Sequence, residues 1–278
     1  MTFTLFASGA YDPTAAAGRL AWQQADGVAV ILRDGAVAPL PGNHPSLGGE
    51  QIAWRENGQI TIAAAATSAP AERHSAPDAG VLALGDGLLA WRTRDPVGTD
   101  RLWMLGADGD RRLLTEVLAP EQLGRPAIAG GRILCHLAGP RGSALLSLDP
   151  ASGGRTVLRR EPGAMLSNPA SDGLRLLYVR ATGRDQQLRL GALTPVPAAS
   201  DLPVLVHPSS GQRDLEHEPR RSRHRHGRRR PALPPRAERG VVDTLWSTAL
   251  APDAAYVTRL RAREGSPRIA ELLRVALV

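Results

Sequence analysis

Lysine is absent from this 278-residue sequence, and cysteine occurs only once. The single cysteine, Cys135, excludes an internal disulfide and a cysteine-rich metal site. No apolar run approaches the roughly 18 residues of a membrane-spanning helix, so we expect no membrane span. Several catalytic signatures are missing as well: the G-x-S-x-G elbow, the phosphate-binding G-x-x-x-x-G-K-[ST], the dinucleotide-binding G-x-G-x-x-G and H-E-x-x-H.

The N-terminus, M-T-F-T-L-F-A-S-G-A-Y-D, lacks both a basic region and an apolar core long enough for a signal peptide. We therefore expect a cytoplasmic protein from the sequence as given. An exported or periplasmic protein is the alternative if the natural start lies further upstream.

The positive charge is concentrated in one segment. All the basic residues are arginine, and the formal net charge is +7. Residues 213–240 hold ten arginines against four acidic residues, which accounts for +6 of that total. The rest of the chain is close to neutral, so the high isoelectric point describes this segment and not the body of the protein.

Residues 207–240 are rich in arginine and proline and have almost no apolar side chains. We interpret them as an insertion that cannot bury enough surface to order itself, and we predict a disordered loop. The alternative is a site for nucleic acid or another polyanion, because an arginine tract neutralises phosphates. The residues that would form this site are Arg220, Arg221, Arg223, Arg225, Arg228, Arg229 and Arg230.

A metal site in the same segment is not expected. His224 and His226 would point in opposite directions on a strand and would not share a helix face. The flanking arginines also repel a cation. We therefore predict no metal and no cofactor.

Glycine and proline are abundant, with 29 and 23 residues, which suits short strands and turns better than long helices. The stretch from Asp86 to Thr115 reads as strand, loop, strand, turn, strand, with Asp-Gly at its first turn. Asp-Gly supplies the positive φ angles that tight hairpin turns need. Such a meander cannot bury its own faces, so it must be one of several.

The chain does repeat this unit. A marker residue closes an apolar run in six places, at Trp22, Trp54, Trp91, Cys135, Tyr178 and Tyr256, with spacings of 32, 37, 44, 43 and 78 residues. Nine residues before the marker stands a proline in four of the six units, at Pro13, Pro45, Pro126 and Pro169. A period of about 40 residues with several strands per unit is typical of a β-propeller.

We predict one all-β domain over residues 1–278, a β-propeller of six four-stranded antiparallel blades. Seven blades are the alternative, because the 78-residue gap is close to two periods. The N-terminal residues 2–7, T-F-T-L-F-A, are expected to pair with the last blade and close the ring, which removes an exposed sheet edge.

The units read x-P-(S/A)-x-x-(D)-G-x-x-(I/L)-(A/L)-(W/Y), followed by a second strand, an A-D-G-type turn and a final L-T. This pattern resembles the WD-repeat-like propeller repeat of TolB-type proteins, which also builds the propeller of prolyl-oligopeptidase-type enzymes. The resemblance covers roughly residues 10–200 and 244–278. Leu82 and Ser247 replace the proline in two units, and Cys135 replaces the aromatic residue in a third.

The repeat positions suggest structural roles. Trp22, Trp54 and Trp91 share one position and are expected to pack between blades, and Cys135 is expected to be a buried small hydrophobic residue. The residue before the repeat proline is His44, Arg125 or Asn168 in three units. We expect these residues to lie at one end of the ring; a turn role is favoured, with a polar binding surface as the alternative.

For function, we predict a monomeric, non-catalytic binding or scaffold module for a protein or peptide partner, as the resemblance to TolB-type propellers implies. No hydrolase domain is expected in the chain. The first alternative is an enzyme working from the channel, which clustered His, Asp, Glu or Arg side chains there would favour. The second is polyanion binding through the arginine-rich segment.

Overall fold

A computed structural model describes residues 3–31, 36–67, 70–106, 109–183, 185–193, 205–207, 241–263 and 268–277. The described chain is all β and forms six antiparallel sheets arranged as a six-bladed propeller. The first strand of each blade contacts the first strand of the next, and blade 6 contacts blade 1 in the same way, so the inner strands close into a ring. The predicted six-bladed propeller is confirmed.

The N-terminal strand and the first three blades, with each blade given from the channel outward, have the following bounds. They are β1 (Phe3–Ser8); β2 (Tyr11–Ala16), β3 (Arg19–Gln24), β4 (Gly27–Ile31) and β5 (Val37–Leu40) in blade 1; β6 (Asn43–Gly48), β7 (Gln51–Glu56), β8 (Gln59–Ala64) and β9 (Pro70–Ser75) in blade 2; and β10 (Leu82–Gly85), β11 (Leu88–Arg94), β12 (Asp100–Leu105) and β13 (Arg111–Val117) in blade 3.

Blades 4 to 6 follow the same plan, except that the inner strand of blade 4 is split in two. They are β14 (Gln122–Leu123) with β15 (Ala127–Ala129), β16 (Arg132–Gly139), β17 (Gly142–Leu148) and β18 (Arg155–Arg159) in blade 4; β19 (Met165–Ser171), β20 (Arg175–Thr182), β21 (Asp185–Ala192) and β22 (Leu205–His207) in blade 5; and β23 (Val241–Leu250), β24 (Ala254–Arg263), β25 (Ile269–Ala276) and β1 in blade 6.

The marker residues lie on the second strand of each blade and pack against a neighbouring blade. Trp54 is 2% exposed and packs with Ala21, Val28 and Val30 of blade 1. Trp91 packs in the same way against blade 2, Cys135 against blade 3 and Tyr178 against blade 4. The predicted inter-blade packing role of the tryptophans and the burial of Cys135 are confirmed.

The repeat prolines lie on the innermost strands or, for Pro126, immediately before one. An innermost strand has one edge facing the channel, where a residue without an N–H loses no ladder hydrogen bond. The ladder breaks at this point: its register shifts between Tyr11 and Thr14 and between Asn43 and Ser46. The strand that carries the repeat proline is therefore the first of its blade, and the proline marks a bulge on it.

The ring closes through β1, the outermost strand of blade 6. β1 pairs antiparallel with β25, from Phe3 opposite Val275 to Ser8 opposite Glu271. The first strand and the last three strands of the chain thus share one sheet, as the sequence predicted for residues 2–7.

The arginine-rich segment and its seven named arginines lie outside the described residues, as does most of the predicted 207–240 insertion. Within the described ranges, no helix is long and apolar enough to cross a membrane. The same residues contain no group of three or more His, Cys, Asp or Glu side chains that could hold a metal ion.

Candidate functional site

The candidate site is the central channel. Halfway along it, all six innermost strands enclose a passage of only about 70 Å³, lined by Pro13, Pro126 and Pro169 among others. The two ends of this passage differ. One opens into a wide funnel, whereas the other carries a cluster of polar side chains.

The funnel is formed by the turns that connect the first and second strands of each blade. Its volume is about 550 Å³. Small residues dominate its wall: Ala15, Ala16, Ala17, Gly18, Gly48, Gly49, Gly85, Ala129, Gly130, Gly173 and Ala251. Because short side chains end each inner strand, the channel widens at this end instead of closing.

Two of these glycines allow the inner strands to approach each other. A Cβ on Gly48 would lie 2.6 Å from the backbone of Leu84 in blade 3, and one on Gly85 would lie 3.1 Å from the Ile128 side chain in blade 4. A larger residue at Gly48 would therefore force blades 2 and 3 apart, and one at Gly85 would press on the Ile128 side chain. The glycines therefore set the spacing of the strands just below the funnel.

One side of the funnel is apolar and aromatic. Phe6 and Tyr256 of blade 6 and Leu20 of blade 1 line it, at the junction where the ring closes. Phe6 makes edge-to-face contacts with Trp22 and Tyr256, with ring centroids 5.8 and 5.7 Å apart. This geometry is favourable for aromatic pairs and holds Phe6 in the wall.

Three aspartates sit at the rim, each in the turn of a different blade. Asp172 pairs with Arg175 at 2.6 Å, and Asp253 pairs with Arg274 at 2.9 Å. Asp86 instead accepts a hydrogen bond from the Gly131 N–H at 2.8 Å. Two of the three rim carboxylates thus already have an arginine partner. The sequence had assigned Asp86 only a turn role, and its φ of 52° agrees with that role.

Arg19 is the one cation among the described residues that line the funnel, and it is 6% exposed. Its Nη1 lies 2.6 Å from the Glu50 carboxylate of blade 2, and its enclosed Nε has no hydrogen-bond acceptor. A buried guanidinium with an unpaired donor is unusual in a wall that otherwise consists mainly of small residues.

The opposite end of the channel gathers the residues that precede the repeat prolines. Asp12, His44 and Asn168 each adopt a positive φ near 50° on their strand bulges. The bulge turns these side chains out of the ladder. Arg125 of blade 4 reaches across the ring to Asp12 of blade 1, with Nη1 2.8 Å from Oδ1, and its Nη2 donates to the Pro45 carbonyl at 3.2 Å.

His44 completes this cluster, with its Nδ1 3.3 Å from Asp12 Oδ2. Burial alone would raise the pKa of Asp12, but the Arg125 charge and the hydrogen bond from His44 outweigh it and hold the pKa below its ordinary value. Asp12 is therefore a carboxylate at neutral pH. Because a carboxylate only accepts, the proton between them belongs to His44 Nδ1.

Side chains of the preceding blade hold the backbone of the bulges. The His44 N–H donates to Gln23 Oε1 at 2.7 Å, and the Asn168 N–H donates to His136 Nδ1 at 3.2 Å. Gln23 and His136 occupy the same repeat position, directly after the marker residue. In blade 1, the Asp12 N–H donates a hydrogen bond to Ser247 Oγ of blade 6 at 3.2 Å.

His136 is neutral in the folded protein, because burial, assisted by the Arg92 charge, lowers its pKa from 6.5 to about 4. Unfolding frees the imidazole to bind a proton below pH 6.5. The free energy of unfolding should therefore be highest above pH 6.5 and fall as the pH drops to 4, by at most about 3 kcal/mol.

His136→Gln should remove this loss, since glutamine already performs the same task at Gln23. The measurement is urea unfolding at several pH values between 4 and 7, with His74→Gln, at an outer strand, as the matched control. Equal pH slopes for the wild type and His136→Gln would contradict the assignment.

The polar end satisfies only part of what a catalytic site needs. Asp12 and His44 form an acid–imidazole pair, but both carboxylate oxygens of Asp12 are engaged, one by Arg125 and one by His44. Ser247, the hydroxyl next to this pair, is 2% exposed and donates to Thr258 at 3.0 Å. This cluster fixes blades 1, 2 and 4 to one another at the polar end of the channel.

Of the three residues that the repeat singled out, the structure brings His44 and Arg125 together on Asp12, whereas Asn168 contacts Trp246 and Thr248 of blade 6. Trp246 occupies the equivalent position in blade 6 and is 54% exposed. Asp12 was not identified from the sequence. It directly precedes Pro13, the first repeat proline, so the position that gave His44, Arg125 and Asn168 also predicts it. Arg19 and Glu50 gave no signal, because they lie between the repeat proline and the marker at positions that the repeat pattern leaves unspecified.

No protein-family model and no curated protein matches the sequence. Solved structures do match. The chain aligns with TolB from Acinetobacter baumannii at 11% identity and a TM-score of 0.53, over 88% of this chain and 59% of that one. It aligns with the Pyrococcus horikoshii acylaminoacyl peptidase at 13% identity and a TM-score of 0.55, over 98% of this chain and 46% of that one.

A third match is the β-propeller domain of the Trilobed protease from Pyrococcus furiosus, which has an open velcro topology. The identity is 11% and the TM-score 0.52, over 96% of this chain and 82% of that domain. The chain thus spans about half the length of the TolB and peptidase structures that it matches. At these identities the likeness is one of fold, and the fold of this chain is that of a TolB-like six-bladed β-propeller.

Proposed function

We propose that this propeller is a binding module that takes a peptide segment of a partner protein into the funnel. The observation that carries the proposal is the contrast along the channel, from about 550 Å³ at the funnel to about 70 Å³ at the central passage. Sites for small ligands occupy about 300–1,000 Å³, so the funnel is large enough to enclose a few residues.

The wall of the funnel is suited to a peptide. It combines exposed backbone at the inner-strand turns with an apolar side made of Phe6, Leu20 and Tyr256. Extended peptides bind through main-chain hydrogen bonds together with a few apolar pockets. Because the turns are short and the strands beneath them are packed, little ordering is needed on binding.

The fold supports binding but does not select a partner. TolB and the propeller domains of peptidases share this architecture, and one fold hosts many functions. The engaged Asp12–His44 pair favours a binding module over a channel-centred enzyme, since it leaves no activated nucleophile among the described residues of that end.

Filling the funnel should abolish peptide binding. Ala16 lines the cavity and is half-buried, so Ala16→Trp would place an indole in the space that the peptide needs. Peptides selected from a random displayed library on the wild-type protein should bind this variant at least tenfold more weakly, a loss of about 1.4 kcal/mol or more. Fluorescence anisotropy of the labelled peptides measures the effect.

The control is Ala151→Trp, at an exposed turn between β17 and β18 that is remote from the funnel. Pro252→Trp, at the exposed rim, is a second blocking variant that leaves the core untouched. Thermal melts show whether each variant is folded. Selected peptides that bind all three variants as tightly as the wild type would show that the funnel is not the binding site.

A further inference from the structure

We propose that the funnel recognises the free C-terminal carboxylate of its peptide and that Arg19 is the residue that binds it. This inference rests on the proposed peptide-binding function and names the chemical group recognised at the same site.

The Arg19 guanidinium is placed for a ligand and is only partly used by the protein. The side chain is 5% exposed and forms part of the cavity wall, yet its Nε has no acceptor. A buried arginine is normally fully hydrogen-bonded, because an unpaired buried donor is unfavourable. A carboxylate that engages two guanidinium nitrogens at once would remove this deficit.

Glu50 shows that a carboxylate fits against this guanidinium. Its Oε2 lies 2.6 Å from Arg19 Nη1, while its own side chain is 60% exposed. An exposed partner on a flexible side chain holds an arginine weakly. A carboxylate that arrives within the funnel can therefore replace Glu50 by side-chain rotation alone, without a change in the backbone.

The rim aspartates do not favour a cationic ligand instead. Asp172 and Asp253 are already neutralised by Arg175 and Arg274, and Asp86 accepts a backbone hydrogen bond. Arg19 is thus the cation among the described residues of the funnel wall, and its Nε has no acceptor.

The depth of the channel favours a chain end over an internal acidic side chain. Below the funnel the six innermost strands enclose a cavity of only about 70 Å³, which leaves little room for a peptide to extend further. A chain that inserts must either end there or turn back within the cavity. A terminus needs no turn, and its carboxylate is the group that reaches the wall first.

The test uses two pools of random hexapeptides that are labelled at the N-terminus and differ only in a free or an amidated C-terminus. Fluorescence anisotropy with the full chain should show at least fivefold tighter binding of the free-acid pool. Arg19→Gln should abolish that preference, whereas Arg19→Lys should retain part of it. Arg132→Gln, which breaks the ion pair of an arginine that does not line the funnel, is the control and should change nothing.

Glu50→Gln gives the most specific result. Because it removes the competing carboxylate, it should strengthen binding of the free-acid pool about threefold or more and leave the amidated pool unchanged. If the Arg19–Glu50 pair has only a structural role, Glu50→Gln should instead weaken the binding of both peptide pools.

Binding of both pools with equal affinity would overturn the carboxylate proposal and leave the peptide-binding function standing. Tight binding of amidated peptides that contain internal Asp or Glu would also overturn it, because the terminus would then be dispensable. If neither pool binds, the proposed function itself fails.

Discussion

Deletion of residues 1–8 should lower the melting temperature by about 10 °C or more. β1 contributes five residue pairs to its ladder with β25, and each net hydrogen bond stabilises a fold by about 1 kcal/mol. For a chain of this size, a loss of about 5 kcal/mol corresponds to a shift of about 10–20 °C. The deletion also exposes the edge of β25 and opens the ring between blades 6 and 1.

Point variants in β1 separate the side-chain contribution from the ladder. Phe6 contacts Trp22 and Tyr256 across the closure, whereas Leu5 on the same strand is 53% exposed. Phe6→Ala should therefore lower the melting temperature by several degrees, and Leu5→Ala should have little effect. Differential scanning calorimetry measures the melting temperatures of the deletion variant, Phe6→Ala and Leu5→Ala. An unchanged melt after the deletion would show that the ring does not depend on β1.

The repeat could be found in the sequence because each of its features has a local physical cause. The marker at Trp54 or Trp91 must fill the space between two blades, so a large residue recurs at one position. The proline at Pro13 or Pro45 is tolerated because the innermost strand has a free edge. The marker recurs in all six blades and the proline in four, and together they predicted the repeat and its six blades.

The candidate site was harder to predict, because it depends on contacts between distant repeat units. Arg125 and Asp12 lie 113 positions apart in the chain and meet only because blades 1 and 4 face each other across a six-bladed ring. The repeat nominated Arg125 as one end-of-ring residue among several, but it did not indicate a partner.

The funnel is defined by small residues, and small residues carry little sequence signal. Gly48 and Gly85 look like ordinary turn glycines, although a Cβ on Gly48 would collide with the backbone of blade 3 and one on Gly85 would make a tight contact with Ile128 of blade 4. Arg19 follows a hairpin turn and resembles many other surface arginines of this arginine-rich chain. Its burial and its spare donor are visible only when the ring is assembled.

Breaking the ion pair across the channel should be the most destabilising point change at the polar end. Asp12→Asn keeps the shape of the side chain but leaves the Arg125 guanidinium, 13% exposed, without its counter-charge. Removing one member of a buried ion pair costs about 3–5 kcal/mol. Arg125→Gln should have a similar effect, since it leaves the buried Asp12 carboxylate without the charge of its arginine partner.

The double variant Asp12→Asn/Arg125→Gln should be more stable than the sum of the two single losses predicts, because no charge is left unpaired.

The pH dependence of the free energy of unfolding has a definite sign. The folded protein holds the pKa of Asp12 below its ordinary value of 3.8, so its stabilising contribution is present above pH 4 and is lost as the pH falls further. Asp12→Asn should remove that acid-induced loss. Urea unfolding of the four proteins between pH 3 and 7 measures both effects, and additive losses with an unchanged acid limb would mean that Arg125 and Asp12 do not interact across the channel.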